Sequence, residues 1–309
     1  MRLAFVFPGQ GSQTVGMGRD VYESFPEIRE LYDNAEKILG FPLKQYSFEG
    51  PEEALKQTSV TQPALFVHGA VLTKLLKKKG IKPVIAAGHS LGEYSALAAA
   101  DAAAFEDILQ LVKIRGELMH SSGEGVPGTM AALIGGDIDG IKALCTEASI
   151  AGIVQLANFN APGQVVISGS ADAVKKAIEL SPNYGVKRAV ELNVSGAFHS
   201  PLMAGALEGL VRAIQTAPLV PTQFPVVANV TAQPITVPED IKRNLEKQLL
   251  SPVLWSDSVN AMIHFGVDAF IEVGSGTVLQ GLIKRINKDV PCYGVGTAAN
   301  LEQIEKIIT

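Results

Sequence analysis

The stretch Val84–Ala100, VIAAGHSLGEYSALAAA, constrains the fold more than any other part of the 309-residue chain. A short apolar run reaches Gly88-His89-Ser90-Leu91-Gly92, and an alanine-rich helical pattern begins at once. The pentapeptide fits GxSxG, in which a strand passes into a helix through a tight turn that leaves the serine exposed. Glycines at 88 and 92 would let the backbone turn sharply and approach its neighbours without Cβ clashes. A helix starting behind Ser90 would turn free N–H groups and the positive end of its dipole toward an oxyanion. A serine capping an ordinary strand-to-helix turn would give the same five residues, so the nucleophile reading leans on the strand-before, helix-after context.

The same alternation recurs along the chain and predicts an α/β architecture with a mostly parallel sheet. Candidate strands are Leu3–Phe7, Val84–Ala87, Val226–Ala228, Phe270–Val273 and Cys292–Val295, and each except the last leads through a loop into a helical pattern. A helix is expected over Pro63–Lys79, with proline in its first turn and Gly80 as its stop. The middle of the chain differs. From Met130 to Leu192 the order reads strand (Met130–Ile134), helix (Ile138–Ala148), strand (Ile153–Asn158), strand (Gln164–Ser168), helix (Ala171–Leu180), strand (Val186–Leu192). That βαββαβ order is ferredoxin-like and complete in itself. The glycine-rich Ser121–Gly128 is expected to be a hinge before it. The expected organisation is therefore a small ferredoxin-like domain, 127–195, inserted in a large discontinuous α/β domain, 1–126 and 196–309, with a ligand cleft at the join.

Composition removes several function classes. A net charge of −5 opposes nucleic-acid binding, which needs a basic stripe. Cys145 and Cys292 lie far apart, outside any CxxC spacing, so neither a disulfide framework nor a zinc site is expected. The N-terminal apolar run stops at Pro8-Gly9 after Leu3–Phe7, too short for a signal peptide, and no apolar run approaches membrane-spanning length. A soluble cytoplasmic monomer with no permanently bound cofactor is the expectation.

Candidate chemistry lies at three further places. After the first strand, Gly9-Gln10-Gly11 could be a dinucleotide loop, but Thr14 stands where GxGxxG needs glycine. The glycines would instead bring backbone N–H groups close to a reacting centre, or simply make a turn. Arg115 falls four residues after Leu111 and three after Val112, inside an apolar helical stripe. A guanidinium there cannot shed its charge and needs an anion or a route to water. A structural ion pair and a snorkelling side chain are two readings; a bidentate clamp for a substrate carboxylate is the third. Among five histidines, His68 sits on a helical pattern, and His89 should point away from Ser90. His199, in NVSGAFHSP, is where the chain re-enters the large domain at the predicted cleft, the place a base for Ser90 must occupy. Spacing leaves His120 and His264 open.

Taken together, PGQGSQ (8–13), GHSLGE (88–93), Arg115-Gly116 with Met119, NFNAPGQVVISG (158–169), GAFHS (196–200) and QLLSPVLW (248–255) resemble the malonyl-CoA:acyl carrier protein transacylase family over essentially the whole chain. The resemblance implies an α/β-hydrolase-like core carrying a ferredoxin-like insert. It implies Ser90 as nucleophile, His199 as base and the backbone carbonyl of Gln248 as the group orienting that base. The backbone N–H groups of Gln10 and Leu91 become the oxyanion donors, and Arg115 the carboxylate clamp. Met119 and Asn160 line the same cleft, and Phe198 limits room beside the substrate α-carbon. Gly274-Ser275-Gly276 stands where many relatives have Gly-Pro-Gly, and Leu254 where arginine is common.

Malonyl-CoA is then the expected substrate and acyl carrier protein the expected transient partner. Carrier proteins are acidic, so an acidic enzyme needs a local basic patch. Of two clusters, Lys74/Lys77–Lys79 precedes Gly80 at a predicted helix end, where cations are ordinary. Lys284 and Arg285 follow the Gly274–Gly276 turn and are the expected docking residues. Two other readings remain at this stage. A serine hydrolase could use the same elbow with Asp240 and His264, and a non-catalytic docking module would need no base at all.

Overall fold

The computed structural model describes residues 1–125, 127–194 and 196–308. Its strands are β1 (Leu3–Phe7), β2 (Pro83–Gly88), β3 (Gly128–Gly135), β4 (Val154–Ala161), β5 (Gln164–Ser170), β6 (Val186–Glu191), β7 (Val226–Val227), β8 (Pro234–Ile235), β9 (Ala269–Val273) and β10 (Cys292–Val295). They form two sheets, one of six strands in the order β10-β9-β1-β2-β7-β8 and one of four in the order β4-β5-β3-β6.

The larger sheet is parallel except where β8 turns back antiparallel on β7. All five residues of β1 are buried. Leu3, Phe5 and Phe7 join a cluster with the helices Thr58–Lys78 and Phe105–Gly125, whereas Ala4 and Val6 join Trp255, Met262 and Leu282 on the other face. Alternate side chains of one strand thus feed two cores, as expected of a parallel sheet covered by helices on both sides. Parallel registers Phe7↔Gly88 and Val6↔Glu272 bring the carboxyl ends of β1, β2 and β9 to one edge. The loops that follow, carrying Gly9–Gly11, Ser90 and Gly274–Gly276, open there together.

The four-stranded sheet is antiparallel and has the ferredoxin-like order. Its two helices, Ile138–Ala148 and Ala171–Leu180, cover the residues read from the pattern. Ile141, Leu144, Val174 and Ala177 pack on Leu133, Val165 and Ile167 as a separate core. β4 is stitched to the rest by Phe159 N–H to Val253 O and Val253 N–H to Ala157 O, both 2.9 Å.

Three readings need correction, and one short strand went unread. The helix expected from Pro63 begins at Thr58 and carries Pro63 inside it. Its extra turn exposes no apolar stripe to the sequence, because Thr58, Thr61 and Gln62 there are buried polar residues. The expected hinge Ser121–Gly128 is helical through Gly125, where Gly123 is buried and Ser122 Oγ donates to Leu202 O at 3.4 Å; Val126 lies outside the described residues. The last strand does lead into a helix, Ala298–Ile308, which buries Leu301 and Ile304. β8 carried too few residues to show a period.

Candidate active site

The nucleophile turn is built by steric exclusion. Ser90 has φ 51° and His199 φ 58°, left-handed values that a side chain tolerates only when the surroundings enforce them. A Cβ on Gly88 would overlap the Gly92 backbone, and one on Gly92 would overlap the Phe7 carbonyl, so both positions admit only glycine. Asn229, in the loop after β7, holds the elbow from outside. Its Nδ2 donates to Gly88 O at 2.7 Å and its Oδ1 accepts the Ser90 N–H at 2.8 Å.

Ser90 Oγ lies 2.8 Å from His199 Nε2, and His199 Nδ1 lies 2.9 Å from the backbone carbonyl of Gln248. That carbonyl can only accept, so Nδ1 carries the ring proton and Nε2 is free to take the serine's. Burial, followed by the charge of Arg115, lowers the His199 value to about 3, so the imidazole is neutral at any physiological pH. Gln155 Nε2, from β4, donates to His199 O at 2.9 Å and fixes the main chain behind the base.

Arg115 is 1% exposed and reaches the same centre. Its Nη2 donates to Ser90 Oγ and to Gln248 Oε1, both at 3.0 Å, and its Nη1 to Gln62 Oε1 at 2.7 Å. Each acceptor is a neutral oxygen, and Nε has no partner among the described residues. The ring of Tyr94 lies 5.4 Å from the guanidinium carbon. Burial works against this cation, and no carboxylate touches it among the described residues. Arg115 is buried and does not snorkel, and it makes no direct salt bridge among the described residues; its nearest acid, Glu93, acts on it only through space.

Ser90, His199, Arg115 and Gln62 line a cavity of about 250 Å³ between the two sheets, together with Gln10, Leu91, Met119, Asn160 and Phe198. A larger and more open groove of about 640 Å³ lies beyond Ser275 and Tyr293 and contains neither Ser90, His199 nor Arg115. The Ser90 N–H is already spent on Asn229, which leaves Leu91 as the first uncommitted N–H of the elbow. Asn160 Oδ1 sits 2.9 Å from His89 Nε2, which draws His89 away from Ser90. Lys284 and Arg285 are exposed at the end of the helix Val278–Ile286, outside the cavity; Arg285 Nη1 reaches Gln164 Oε1, a rim residue, at 3.0 Å.

Asp240 pairs with Arg243, and exposed His264 turns its Nδ1 to Asn260 O at 2.7 Å; neither lines the cavity. Buried His68 bonds through Nε2 to Gly296 O at 3.1 Å, and His120 lies 3.5 Å from Glu124. Among the described residues no cluster of histidine, cysteine or acidic side chains could hold a metal, and no helix is long and apolar enough to cross a membrane.

Three residues of the network escaped the sequence reading: Gln62, Glu93 and Asn229. Glu93 Oε2 accepts from Gln248 Nε2 at 2.7 Å and from the Asn229 N–H at 3.2 Å, while Gln248 Nε2 also donates to Ser90 O at 3.0 Å. Burial raises the Glu93 carboxyl to about 7, against the pull of these hydrogen bonds and of Arg115. A lone acid in an alanine-rich helix was a visible signal of the same kind as Arg115. Gln62 and Asn229 gave none.

A half-buried serine hydrogen-bonded to a buried histidine on a strand-to-helix elbow at the edge of a parallel sheet, with an arginine on the serine oxygen, is the kind of site found in acyl-transfer enzymes. Residues 4–303 match the family described as the acyl transferase domain, and the chain belongs to that family. It is 43% identical over 302 residues to a malonyl CoA-acyl carrier protein transacylase of Bacillus subtilis (strain 168), spanning 97% of this chain and 95% of that protein. A protein of the same description from Staphylococcus aureus (strain MRSA252) is 41% identical over 97% of both chains. Among solved structures, the malonyl-CoA:acyl carrier protein transacylase of Xanthomonas oryzae pv. oryzae superposes with a TM-score of 0.95 at 41% identity, over 99% of each chain. A malonyl-transacylase solved in complex with its type II PKS acyl-carrier protein gives 0.95 at 38% identity, over 99% of this chain and 100% of that one.

Proposed function

We infer that this acyltransferase moves the malonyl group of malonyl-CoA to the phosphopantetheine thiol of acyl carrier protein, supplying malonyl units for fatty-acid synthesis. The observation that carries the reading is Arg115: a buried cation whose direct hydrogen-bond acceptors are all neutral, 3.0 Å from Ser90 Oγ. A free carboxylate on the acyl group would supply an anion in direct contact with the guanidinium and set the thioester beside the nucleophile.

The chemistry follows in two balanced halves. His199 Nε2 takes the Ser90 hydroxyl proton as Oγ attacks the thioester carbonyl carbon. The backbone N–H groups of Gln10 and Leu91 receive the oxyanion. The C–S bond breaks, His199 returns the proton to the departing coenzyme A sulfur, and malonyl-Ser90 remains. The carrier thiol then gives its proton to His199 and attacks the ester, and the proton ends on Ser90 Oγ. A malonyl carboxylate on Arg115 also removes part of the charge that depresses His199, so the base strengthens when the correct acyl group arrives. Met119, Asn160 and Phe198 shape the cavity around the acyl group.

The surface supports a docking role for Lys284 and Arg285. Lys77, Lys78 and Lys79 are engaged by Asp101, Glu27 and Glu305, whereas Lys284 and Arg285 form no ion pair among the described residues. We take residues 127–195 as an inserted domain, since β3 to β6 form a sheet of their own that is joined to the rest, among the described residues, by a single β-bridge from β4 to Val253, and the enzyme as a cytoplasmic monomer with no resident cofactor. The deciding experiment loads the enzyme with malonyl-CoA, removes coenzyme A and adds phosphopantetheinylated carrier protein. The malonyl group should appear on the carrier thiol far faster than free malonate appears; release to water at the same rate with and without carrier would mark a hydrolase.

A further inference from the structure

Gln248 has two jobs in this site. Its main-chain carbonyl orients His199, and its side-chain amide bridges Arg115 on one side to Glu93 and Ser90 O on the other. Three acceptors, Glu93 Oε2, Ser90 O and, at 3.5 Å, Asn229 Oδ1, fix the NH₂ end of that amide, which forces Oε1 toward the guanidinium. Glu93 is 1% exposed and, among the described residues, is the only carboxylate in this network. The groups facing it are Gln248 from the helix Pro238–Gln248, Asn229 from the loop after β7, Arg115 from the helix Phe105–Gly125, and Tyr94 beside it on Gly92–Ala99. One buried cation therefore faces one buried acid before substrate arrives, and one cation would face two acids afterwards.

We propose that Glu93 is a positioning residue that holds the Gln248 amide between Arg115 and the serine elbow, and that it takes up a proton when a substrate carboxylate reaches Arg115. Two buried carboxylates on a single guanidinium leave an uncompensated anion away from water, and neutralising the one without a direct contact to Arg115 removes it. Its resting value near 7 places that proton within reach at neutral pH. Carboxylate-bearing acyl groups then bind with a proton, and plain acyl groups without one. Proton uptake of this kind rests on Arg115 receiving the carboxylate.

Only Oε2 of Glu93 carries the bonds to Gln248 and Asn229, so Glu93→Gln can keep both through its amide oxygen while removing the charge. The test measures KM for malonyl-CoA and acetyl-CoA from pH 6 to 9 in wild type and Glu93→Gln. In wild type the malonyl-to-acetyl KM ratio should climb above pH 7, approaching about tenfold per pH unit, the slope of one linked proton. In Glu93→Gln it should be flat. Independently, wild-type enzyme mixed with malonyl-CoA in weak buffer at pH 7.5 should take up about three-quarters of a proton more per site than with acetyl-CoA, so the variant's folding is not required. A flat wild-type ratio with equal proton uptake from both thioesters overturns the proposal. Arg115→Ala separates the two layers. If it keeps its malonyl preference, the clamp itself is wrong; if the preference vanishes while the wild-type ratio is flat, only the role of Glu93 is lost.

Discussion

The two walls of the active-site cavity are built on opposite principles. One wall, from the six-stranded sheet and its helices, is a hydrogen-bonded lattice in which Ser90, His199, Arg115, Gln62 and Gln248 each touch at least one of the others. The other wall presents Met130, Ala132, Val166, Leu192, Val194 and Phe198, a largely apolar surface that also carries Asn158, Asn160 and Gln164. Bonds move and charge develops at the first wall, so its polar groups are preorganised and shielded. The second limits shape and excludes water. Damage to the first wall should therefore appear in the rate of acyl transfer, and damage to the second in which acyl group is accepted.

The largest expected effect is on the first wall. His199→Ala should lower the rate of malonyl transfer by roughly 10²–10⁴, the usual contribution of a general base. Steady-state assay of His199→Ala and His264→Ala side by side checks this, and a loss confined to His264→Ala would return the hydrolase reading.

A stability effect of nearly that size should come from Glu93. Its folded value, about 7, lies above the ordinary carboxylate value of 4.5, so between these pH values the folded state binds more protons than the unfolded one. Stability must then fall as pH rises through that window, by on the order of 3 kcal/mol in total. Denaturant unfolding at pH 5 and pH 8 should show this loss in wild type and a much smaller one in Glu93→Gln.

Next comes the clamp. Arg115→Ala should shift the malonyl-to-acetyl preference by more than tenfold, because a desolvated charge-assisted pair is worth roughly 1.5–3 kcal/mol. An unchanged preference in the folded variant would mean that Arg115 is structural.

The second wall gives the smaller changes. Trimming Phe198 to alanine should admit methylmalonyl-CoA, a change worth about 1–3 kcal/mol for one methyl group, with little effect on malonyl transfer. If wild type already accepts both equally, the shape argument fails. The rim should be weaker still. Reversing Lys284 and Arg285 to glutamate should raise KM for acyl carrier protein and leave Ser90 acylation intact, and the effect should fade as salt shortens the Debye length from about 10 Å at 0.1 M. Normal carrier kinetics in that variant at low salt would move the docking face elsewhere.

What could be read in advance divides along the same line. The elbow was legible because GHSLG is local: strand, turn and helix are contiguous, and Gly88 and Gly92 are demanded by contacts within a few residues or with the next strand. The helices Ile138–Ala148 and Ala171–Leu180 were legible because each has one apolar face on one sheet. Arg115 was visible as a charge out of place in an apolar stripe. The partners of Arg115 were not. Gln62 and Gln248 come to it from positions 53 and 133 residues away, and an amide reads the same on a surface as in a core. The choice among histidines likewise needed the chain's path, since only the fold brings His199 across 109 residues to Ser90 while leaving His264 on the surface.

The central claim, that Ser90 carries the acyl group between donor and acceptor, is tested most directly by mass spectrometry of the protein quenched after brief mixing with malonyl-CoA. One malonyl group should be found on the peptide bearing Ser90, lost on addition of carrier protein and never formed in Ser90→Ala. Label on another residue, or label that persists in Ser90→Ala, would contradict it.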